Sequence, residues 1–327
     1  MPKYVPNGAV TQDYNFIVNL TTAVAIVVQV PFVIINARLF VVLYKRRHVF
    51  TSAFYQIVFY NGIVDILCVI CTNYSISLPN LSALQWFFDY FHEPSYNLNI
   101  IFVFGRFYFN YASQTGILLM AMNRFSSIAL MFHYDKIWKE YWNVILVLYL
   151  VPPFIFTFSL LLNRSKLYES VVYGITLKGL DYDHSITFGI PMAVRTIVYH
   201  GMVMLMAFGL NLTTIILLCK KGRGSRDFSA NFFGYTIFVF VLHVVSFVTL
   251  LAYQNFRLDE TYSDLARAWS IYLGVCGIPI IISALSLAPG VLLIVTSKDV
   301  RNAVFPGKWI FSGSSSVVTI LSTPYVV

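Results

Sequence analysis

Charged residues are scarce in this sequence. Only 11% of its 327 residues are Asp, Glu, Lys or Arg, whereas 58% are hydrophobic. Soluble domains contain about a quarter charged residues, so this chain has too little polar surface to fold in water, and a polytopic membrane protein is expected. In such a protein the net charge of +8 indicates basic cytoplasmic loops, and we predict no nucleic-acid partner from it.

Motifs for metal, phosphate or nucleophilic chemistry are also missing. The four cysteines lie in or beside apolar runs, which favours small core residues over a disulfide framework or a zinc site. A membrane enzyme that acts on lipids would need a cluster of catalytic groups at one depth, but His200 and His243 are isolated. We therefore predict neither an enzyme nor a bound cofactor or metal.

Seven long apolar runs dominate the chain, and a bilayer requires about 20 apolar residues per helix. They predict an all-α, polytopic membrane protein with a bundle of seven transmembrane helices. A short N-terminal segment (residues 1–15) precedes the bundle, and a cytoplasmic tail (residues 297–327) follows it. The predicted spans cover residues 16–44, 53–78, 98–131, 144–162, 190–219, 231–253 and 268–296.

The distribution of basic residues orients this bundle with its N-terminus outside. In that orientation thirteen of the 22 Lys and Arg residues face the cytoplasm, Arg124 at the inner end of the third span among them, and six lie outside. The remaining three, Arg38, Arg106 and Arg195, lie within spans. Such an excess on the inner side is what the positive-inside rule requires.

Two charged residues stand out inside the predicted spans. Asp65 lies about 18 Å along the second span by helical rise, and Asn61, four residues earlier, shares its helix face. Arg124 follows Asn123 near the inner end of the third span. Charges in membrane helices are costly and mark functional sites by default. The alternatives are a structural hydrogen-bond knot between helices for Asp65 and snorkelling toward the headgroups for Arg124.

A ligand site is predicted from the outer halves of the third and fifth spans, where Arg106, Arg195 and His200 lie. If the two arginines converge on a cavity, they favour an acidic ligand such as a carboxylate, held by bidentate hydrogen bonds. The alternative is that each arginine snorkels outward or pairs with an acidic residue near the outer loops. The candidates for such pairing are Asp89, Glu93, Asp181 and Asp183.

The connecting segments carry two further predictions. Asn80 and Asn163 begin N-glycosylation triplets in predicted outer loops, and the loop at residues 163–189 is expected to be a polar connection. A basic segment follows the fifth span on the predicted inner side, as a topology anchor or as a contact surface for a partner. It contains Lys220, Lys221 and Arg223.

Several motifs, in their order and spacing, resemble one family of receptors. They are residues 50–55 (FTSAFY), residues 122–125 (MNRF) followed by residues 134–138 (YDKIW), and residues 289–301 (PGVLLIVTSKDVR). With seven spans and an outer N-terminus, they resemble the nematode serpentine chemoreceptors, which are G-protein-coupled receptors. Class gamma (Srg) is the first choice and the related class V (Srv) the second.

This resemblance implies a plasma-membrane receptor, in a ciliated sensory neuron, that detects a small extracellular molecule and activates a heterotrimeric G protein. Arg124 matches the arginine of the acidic-Arg-aromatic motif of rhodopsin-like receptors, which helps to hold the inactive state and then meets the G protein. Asn123 replaces the acid and cannot form its ion pair. Asp65 matches a buried aspartate that joins a sodium and water network. The cysteines that pin the second outer loop in most such receptors are absent.

A secondary transporter is the alternative that stays open. It would use Asp65, Arg106 and His243 as an ion or proton relay near the midplane of the membrane. The sequence shows no internal repeat, which weakens this alternative, and saturable uptake of a substrate would support it.

Overall fold

The computed structural model describes residues 8–90, 99–172, 175–182, 190, 192–221, 241, 244–245, 247–249, 251 and 277–305. Its helices are α1 (Gly8–Lys45), α2 (Ala53–Thr72), α3 (Gln85–Tyr90), α4 (Asn99–Ala129), α5 (Tyr134–Glu140), α6 (Trp142–Thr157), α7 (Met192–Lys221), α8 (Ile278–Thr296) and α9 (Lys298–Val304). Two antiparallel strands, β1 (Ser165–Val172) and β2 (Ile175–Tyr182), form a hairpin between α6 and α7.

Six of these helices overlap predicted spans, namely α1, α2, α4, α6, α7 and α8. α2 continues through a π-turn (Asn73–Ser77) and a 3-10 turn (Leu78–Asn80), and α6 continues through a 3-10 turn (Phe158–Leu162). All of these helices except α4 contain a segment that is long and apolar enough to cross a membrane. The predicted sixth span, residues 231–253, lies largely outside the described residues.

α4 is long enough to span a bilayer, with 31 residues, but it is more polar than the other long helices. It packs against α2, α6 and α7, and buried polar side chains such as Ser113, Gln114 and Asn123 lie on it. These polar side chains of α4 therefore lie in the interior of the bundle.

The outer faces of the other long helices are apolar. Val27 of α1 is 67% exposed, Val147 of α6 is 56% exposed and Leu205 of α7 is 73% exposed. Soluble proteins rarely expose contiguous apolar surfaces of this extent, so these faces fit the hydrocarbon of a bilayer. Prolines inside α1, α6 and α8 are tolerated in membrane helices, because neighbouring groups satisfy the freed backbone carbonyls.

Buried apolar side chains form two clusters near opposite ends of the bundle. One cluster includes Leu119 of α4, Trp138 of α5 and Val300 of α9, and we call this the α5 end. The other includes Val103 of α4 and Leu180 of β2, and we call this the hairpin end. α5 and α9 at one end and β2 at the other are thus packed against the helices of the bundle.

The hairpin is an addition to the predicted polar connection between the fourth and fifth spans. Its register runs from Ser165 opposite Tyr182 to Val172 opposite Ile175. Leu180 and Tyr182, two residues apart on β2, are both buried, as expected for side chains on one face of a strand. An isolated two-stranded hairpin is marginally stable, so its contacts with the bundle must contribute to its stability.

Candidate functional site

The motif around Arg124 holds α5 against the end of α4. The Nδ2 of Asn123 donates to the Oη of Tyr134 at 2.8 Å, and the Nε1 of Trp138 donates to the Oγ of Ser126 at 2.9 Å. Burial raises the pKa of the Tyr134 phenol, while the hydrogen bond with Asn123 acts in the opposite direction. We call these two hydrogen bonds the α4–α5 clasp.

Arg124 itself contacts an aromatic ring on α2. Its Cζ lies 5.5 Å from the centroid of Phe54, within the range of a cation–π interaction. Phe54 lies in the first turn of α2, and Arg124 is half-buried. The guanidinium therefore links α4 to α2 at the α5 end.

The three basic residues of the predicted inner surface are described only in part. Lys220 is exposed near the end of α7, and Lys221 is the last residue of that helix. Arg223 lies outside the described residues.

Asp65 forms a hydrogen-bonded group that joins three helices. Its Oδ1 accepts from the Oγ of Ser113 on α4 at 2.5 Å, and its Oδ2 accepts from the Nδ2 of Asn61 at 2.9 Å. The Oδ1 of Asn61 in turn accepts from the Oη of Tyr149 on α6 at 3.1 Å. Asp65 is 3% exposed, so this group connects α2, α4 and α6 inside the bundle.

Two glycines allow the helices to approach closely around this group. A side chain at Gly116 would overlap the Asn61 amide, and one at Gly290 would overlap the Asn36 amide. Asn36 of α1 also donates from its Nδ2 to the backbone carbonyl of Leu287 on α8 at 3.1 Å. A glycine at these positions is therefore needed for the helix packing.

A small polar cavity adjoins the Asp65 group. Its volume is about 10 Å³, and its lining includes Asn36, Asn61, Asp65 and Pro289. A space of this size holds about one water molecule. Among the described residues, no three His, Cys, Asp or Glu side chains lie close enough together to hold a metal ion.

At the hairpin end, Arg106 lies against β2. Its Nη2 is 3.8 Å from the Oδ1 of Asp181, and its Nη1 donates to the carbonyl of Leu180 at 3.4 Å. The guanidinium also stacks on Phe107, with its Cζ 4.5 Å from the ring centroid. Of the four acidic partners considered from the sequence, Asp181 is the one next to Arg106, while Glu93 and Asp183 lie outside the described residues.

Arg195 contacts the end of α6 and the start of its own helix. Its Nη1 donates to the Oγ of Ser159 at 2.7 Å, and its Nε donates to the carbonyl of Ile190 at 3.0 Å. Burial raises the pKa of the Tyr182 phenol and Asp181 raises it further, whereas Arg106 and Arg195 both lower it. Tyr182 therefore lies within electrostatic range of both arginines.

His200 lies deeper in the bundle than the two arginines. It is 8% exposed, and its ring is 6.1 Å from that of Tyr111 in an edge-on arrangement. Tyr111 stacks on Tyr199 with centroids 4.5 Å apart. These rings occupy the interface between α4 and α7 below the hairpin. His243, proposed for a transporter, lies outside the described residues.

Asn80 joins the end of the second span to the hairpin. Its Nδ2 donates to the carbonyls of Ile76 and Lys178 at 2.6 and 2.7 Å, and its Oδ1 accepts from the backbone N–H of Lys178 at 2.9 Å. Asn163 is also buried, and its Nδ2 donates to the carbonyl of Ser159 at 2.8 Å. Both amides of the predicted glycosylation triplets are thus engaged, which disfavours a glycan at either in the folded protein.

Comparison with protein families bears on this arrangement directly. The family described as Srg family chemoreceptor matches residues 22–304, from within α1 to the end of α9. This chain belongs to the Srg family of chemoreceptors. No curated protein sequence matches it.

The Srg assignment confirms the fold class and the first choice of family. An Srg chemoreceptor is a seven-transmembrane, multi-pass membrane protein that acts as a receptor and not as an enzyme. The apolar faces of α1, α6 and α7 are the surfaces that meet the lipid in this chemoreceptor. The family assignment also supports the receptor interpretation over the transporter.

Several residues of the Srg receptor that sequence reasoning overlooked take part in these contacts. Tyr134 and Trp138 were recognised only as part of a family motif, although they bond to Asn123 and Ser126. Ser113 gave no signal, because one serine among several on α4 does not reveal which face meets α2. The spacing of Asn123 and Tyr134 across a short polar connection was the available clue.

Proposed function

We propose that this Srg chemoreceptor binds a small molecule at the hairpin end and activates a heterotrimeric G protein at the α5 end. The hairpin end then faces the outside of the plasma membrane, in a ciliated sensory neuron. The excess of Lys and Arg in the predicted inner segments supports this orientation.

The α4–α5 clasp is the observation that carries this proposal. Asn123, Ser126, Tyr134 and Trp138 fix α5 to α4, and Arg124 lies beside them against Phe54. A guanidinium that lies over an aromatic ring can leave it when the two helices move apart. We propose that this release exposes Arg124, with Lys220, Lys221 and Arg223, to the G protein.

Asp65 is proposed to couple the two ends. It is bonded to α4 directly and to α6 through Asn61, so a shift of α4 relative to α2 must change its hydrogen bonds. Two helix arrangements that differ in these bonds form a bistable element. A ligand shifts the balance between them by no more than its difference in affinity for the two.

The proposed ligand is an acidic small molecule bound near Arg106 and Arg195, with His200 deeper in the same region. Both arginines lower the pKa of the Tyr182 phenol, which supports a shared site at the hairpin end. Guanidinium groups bind carboxylates through paired hydrogen bonds. Binding of the ligand should be lost in Arg106→Ala and in Arg195→Ala, and binding unaffected by both substitutions would exclude this site.

The function is tested by a ligand panel applied to cells that express the receptor with a G-protein dissociation sensor. A ligand-dependent signal that disappears in Arg124→Ala, at unchanged surface expression, is expected because coupling needs the guanidinium. A signal that survives in Arg124→Ala would remove the proposed role of this residue. Saturable uptake of a compound by the same cells, without any sensor signal, would favour the transporter.

A further inference from the structure

The contact between Arg106 and Asp181 is a loose ion pair. The Nη2 to Oδ1 distance of 3.8 Å exceeds the roughly 2.7–2.9 Å of a charged hydrogen bond. The second contact of the guanidinium, to the carbonyl of Leu180, is also long at 3.4 Å. Neither contact is the paired, in-plane bonding that a carboxylate can form with an arginine.

Arg106 is held in position by contacts other than this ion pair. Its guanidinium stacks on the ring of Phe107, and its side chain is only 12% exposed. Stacking fixes the plane of the guanidinium, and low exposure strengthens its attraction for an anion. The guanidinium of Arg106 is therefore held in place to donate hydrogen bonds, but it does not form paired hydrogen bonds with Asp181.

Asp181 can release Arg106 without unfolding the hairpin. Its Oδ1 also accepts from the backbone N–H of Tyr182 at 3.0 Å, so the carboxylate keeps a hydrogen bond when the arginine is taken. β2 is anchored separately, three residues earlier, by the hydrogen bonds between Asn80 and Lys178. The carboxylate is thus attached to a strand that stays in place.

We propose that Asp181 is an internal competitor for an acidic ligand at Arg106. In the ligand-free receptor its carboxylate occupies the arginine, and a ligand carboxylate replaces it through paired hydrogen bonds. The ligand carboxylate replaces Asp181 as the anion bonded to Arg106, while Asp181 keeps its charge and its hydrogen bond to the N–H of Tyr182. This inference rests on the proposed acidic-ligand site at the hairpin end.

Competition from Asp181 determines how sensitive the receptor is to an acidic ligand. A tethered group has an effective concentration in the millimolar range. The apparent affinity of the ligand falls in proportion to the fraction of Arg106 that Asp181 leaves free. Only carboxylates that bond Arg106 better than a single loose ion pair can displace Asp181. The residue therefore sets a threshold that excludes weak anions.

The test measures binding directly, by the thermal unfolding of the purified full-length chain. Butanoate to decanoate are titrated beside their primary amides, because a ligand that binds the folded state raises the unfolding temperature. Asp181→Asn should lower the half-maximal concentration of a carboxylate about three- to tenfold, the effect of removing a partly buried competing charge. Asp181→Ser should behave in the same way, and the amides should show no such shift.

Asp89→Asn is the matched control, because it removes one acidic charge from an ion pair with Lys178 on the same strand. It should leave the half-maximal concentration unchanged, and Arg106→Gln should abolish the carboxylate effect in every background. The proposal is overturned if Asp181→Asn gives no shift, if Asp89→Asn gives an equal one, or if no carboxylate stabilises either the parent chain or Asp181→Asn. Carboxylate binding without G-protein activation would count against the proposed function alone.

Discussion

Arg124 is paired with a ring where related receptor families use an acid. The contact with Phe54 contributes about 0.5–2 kcal/mol, less than a buried ion pair can, and the neighbouring Asn123 is neutral and bonded to Tyr134. The contact with this ring is therefore a weak restraint on the guanidinium. A receptor restrained in this way should have a small energy gap between its inactive and active states.

Phe54→Leu tests this contact at the scale of one residue. The substitution keeps the apolar bulk and removes the ring, so we expect ligand-independent G-protein activation to rise about fivefold, equivalent to about 1 kcal/mol. The dissociation sensor without added ligand measures it. Phe59→Leu is the control, because Phe59 lies on the same helix but stacks on Tyr44. Equal basal signals in Phe54→Leu and the parent chain would show that the ring does not restrain Arg124.

Single residues could be predicted from the sequence where a charged group inside the membrane costs free energy. A carboxylate deep in an apolar run is easily recognised in a sequence. Asn61 is predicted to lie beside Asp65 because residues four apart share a helix face. Ser113 was not predictable, since the bonding partner on α4 depends on how two helices pack. The burial of Asn80 is not predictable either, because a glycosylation triplet carries no information about burial.

The hairpin is fastened to the bundle by single side chains rather than by a disulfide. The side-chain amide of Asn80 pairs with β2 as a backbone peptide group would. It donates to the carbonyl of Lys178 and accepts from its N–H. Lys178 also extends toward Asp89 of α3, with its Nζ 3.5 Å from Oδ1. The absence of the usual cysteines from the sequence therefore does not leave this connection without an anchor.

Asn80→Ala tests this anchor. Three hydrogen bonds of a buried amide are lost, and backbone groups of β2 lose their partner, so we expect the free energy of unfolding to fall by about 2 kcal/mol. Thermal unfolding in detergent and hydrogen exchange of β2 measure the effect. Ser82→Ala removes the same glycosylation triplet but keeps the amide, and it should be neutral. Equal losses in the two variants would point to a glycan instead.

Among the elements, the helices were predictable and the hairpin was not. The spans in α1, α2, α6, α7 and α8 are each defined by their own apolar length, which is visible in the sequence. The strands of the hairpin mix polar and apolar residues, and their pairing depends on a surface supplied by α2 and α4. A segment whose stability comes from distant elements shows no pattern of its own.

Cys219 offers a test of orientation for the whole molecule. It is exposed near the end of α7, on the side that the proposed topology puts in the cytoplasm, whereas Cys68 and Cys71 are buried. A membrane-impermeant maleimide should label intact cells little and permeabilised cells strongly. Cys219→Ser should reduce that label, and the difference between the two chains reports on Cys219 alone because Cys276 lies outside the described residues. Strong labelling of intact cells that depends on Cys219 would reverse the proposed topology.

The polarity of α4 has a consequence for how the receptor is made. α4 is less apolar than the other long helices. It therefore gains little free energy by entering the lipid alone. Its polar groups find their partners only when Asp65 of α2 and Thr196 and Tyr199 of α7 are beside it. We therefore expect the third helix to stay next to the translocon until α7 follows it into the membrane. Substitutions at these interior contacts should then appear first as receptors retained in the endoplasmic reticulum, before any change in signalling is seen.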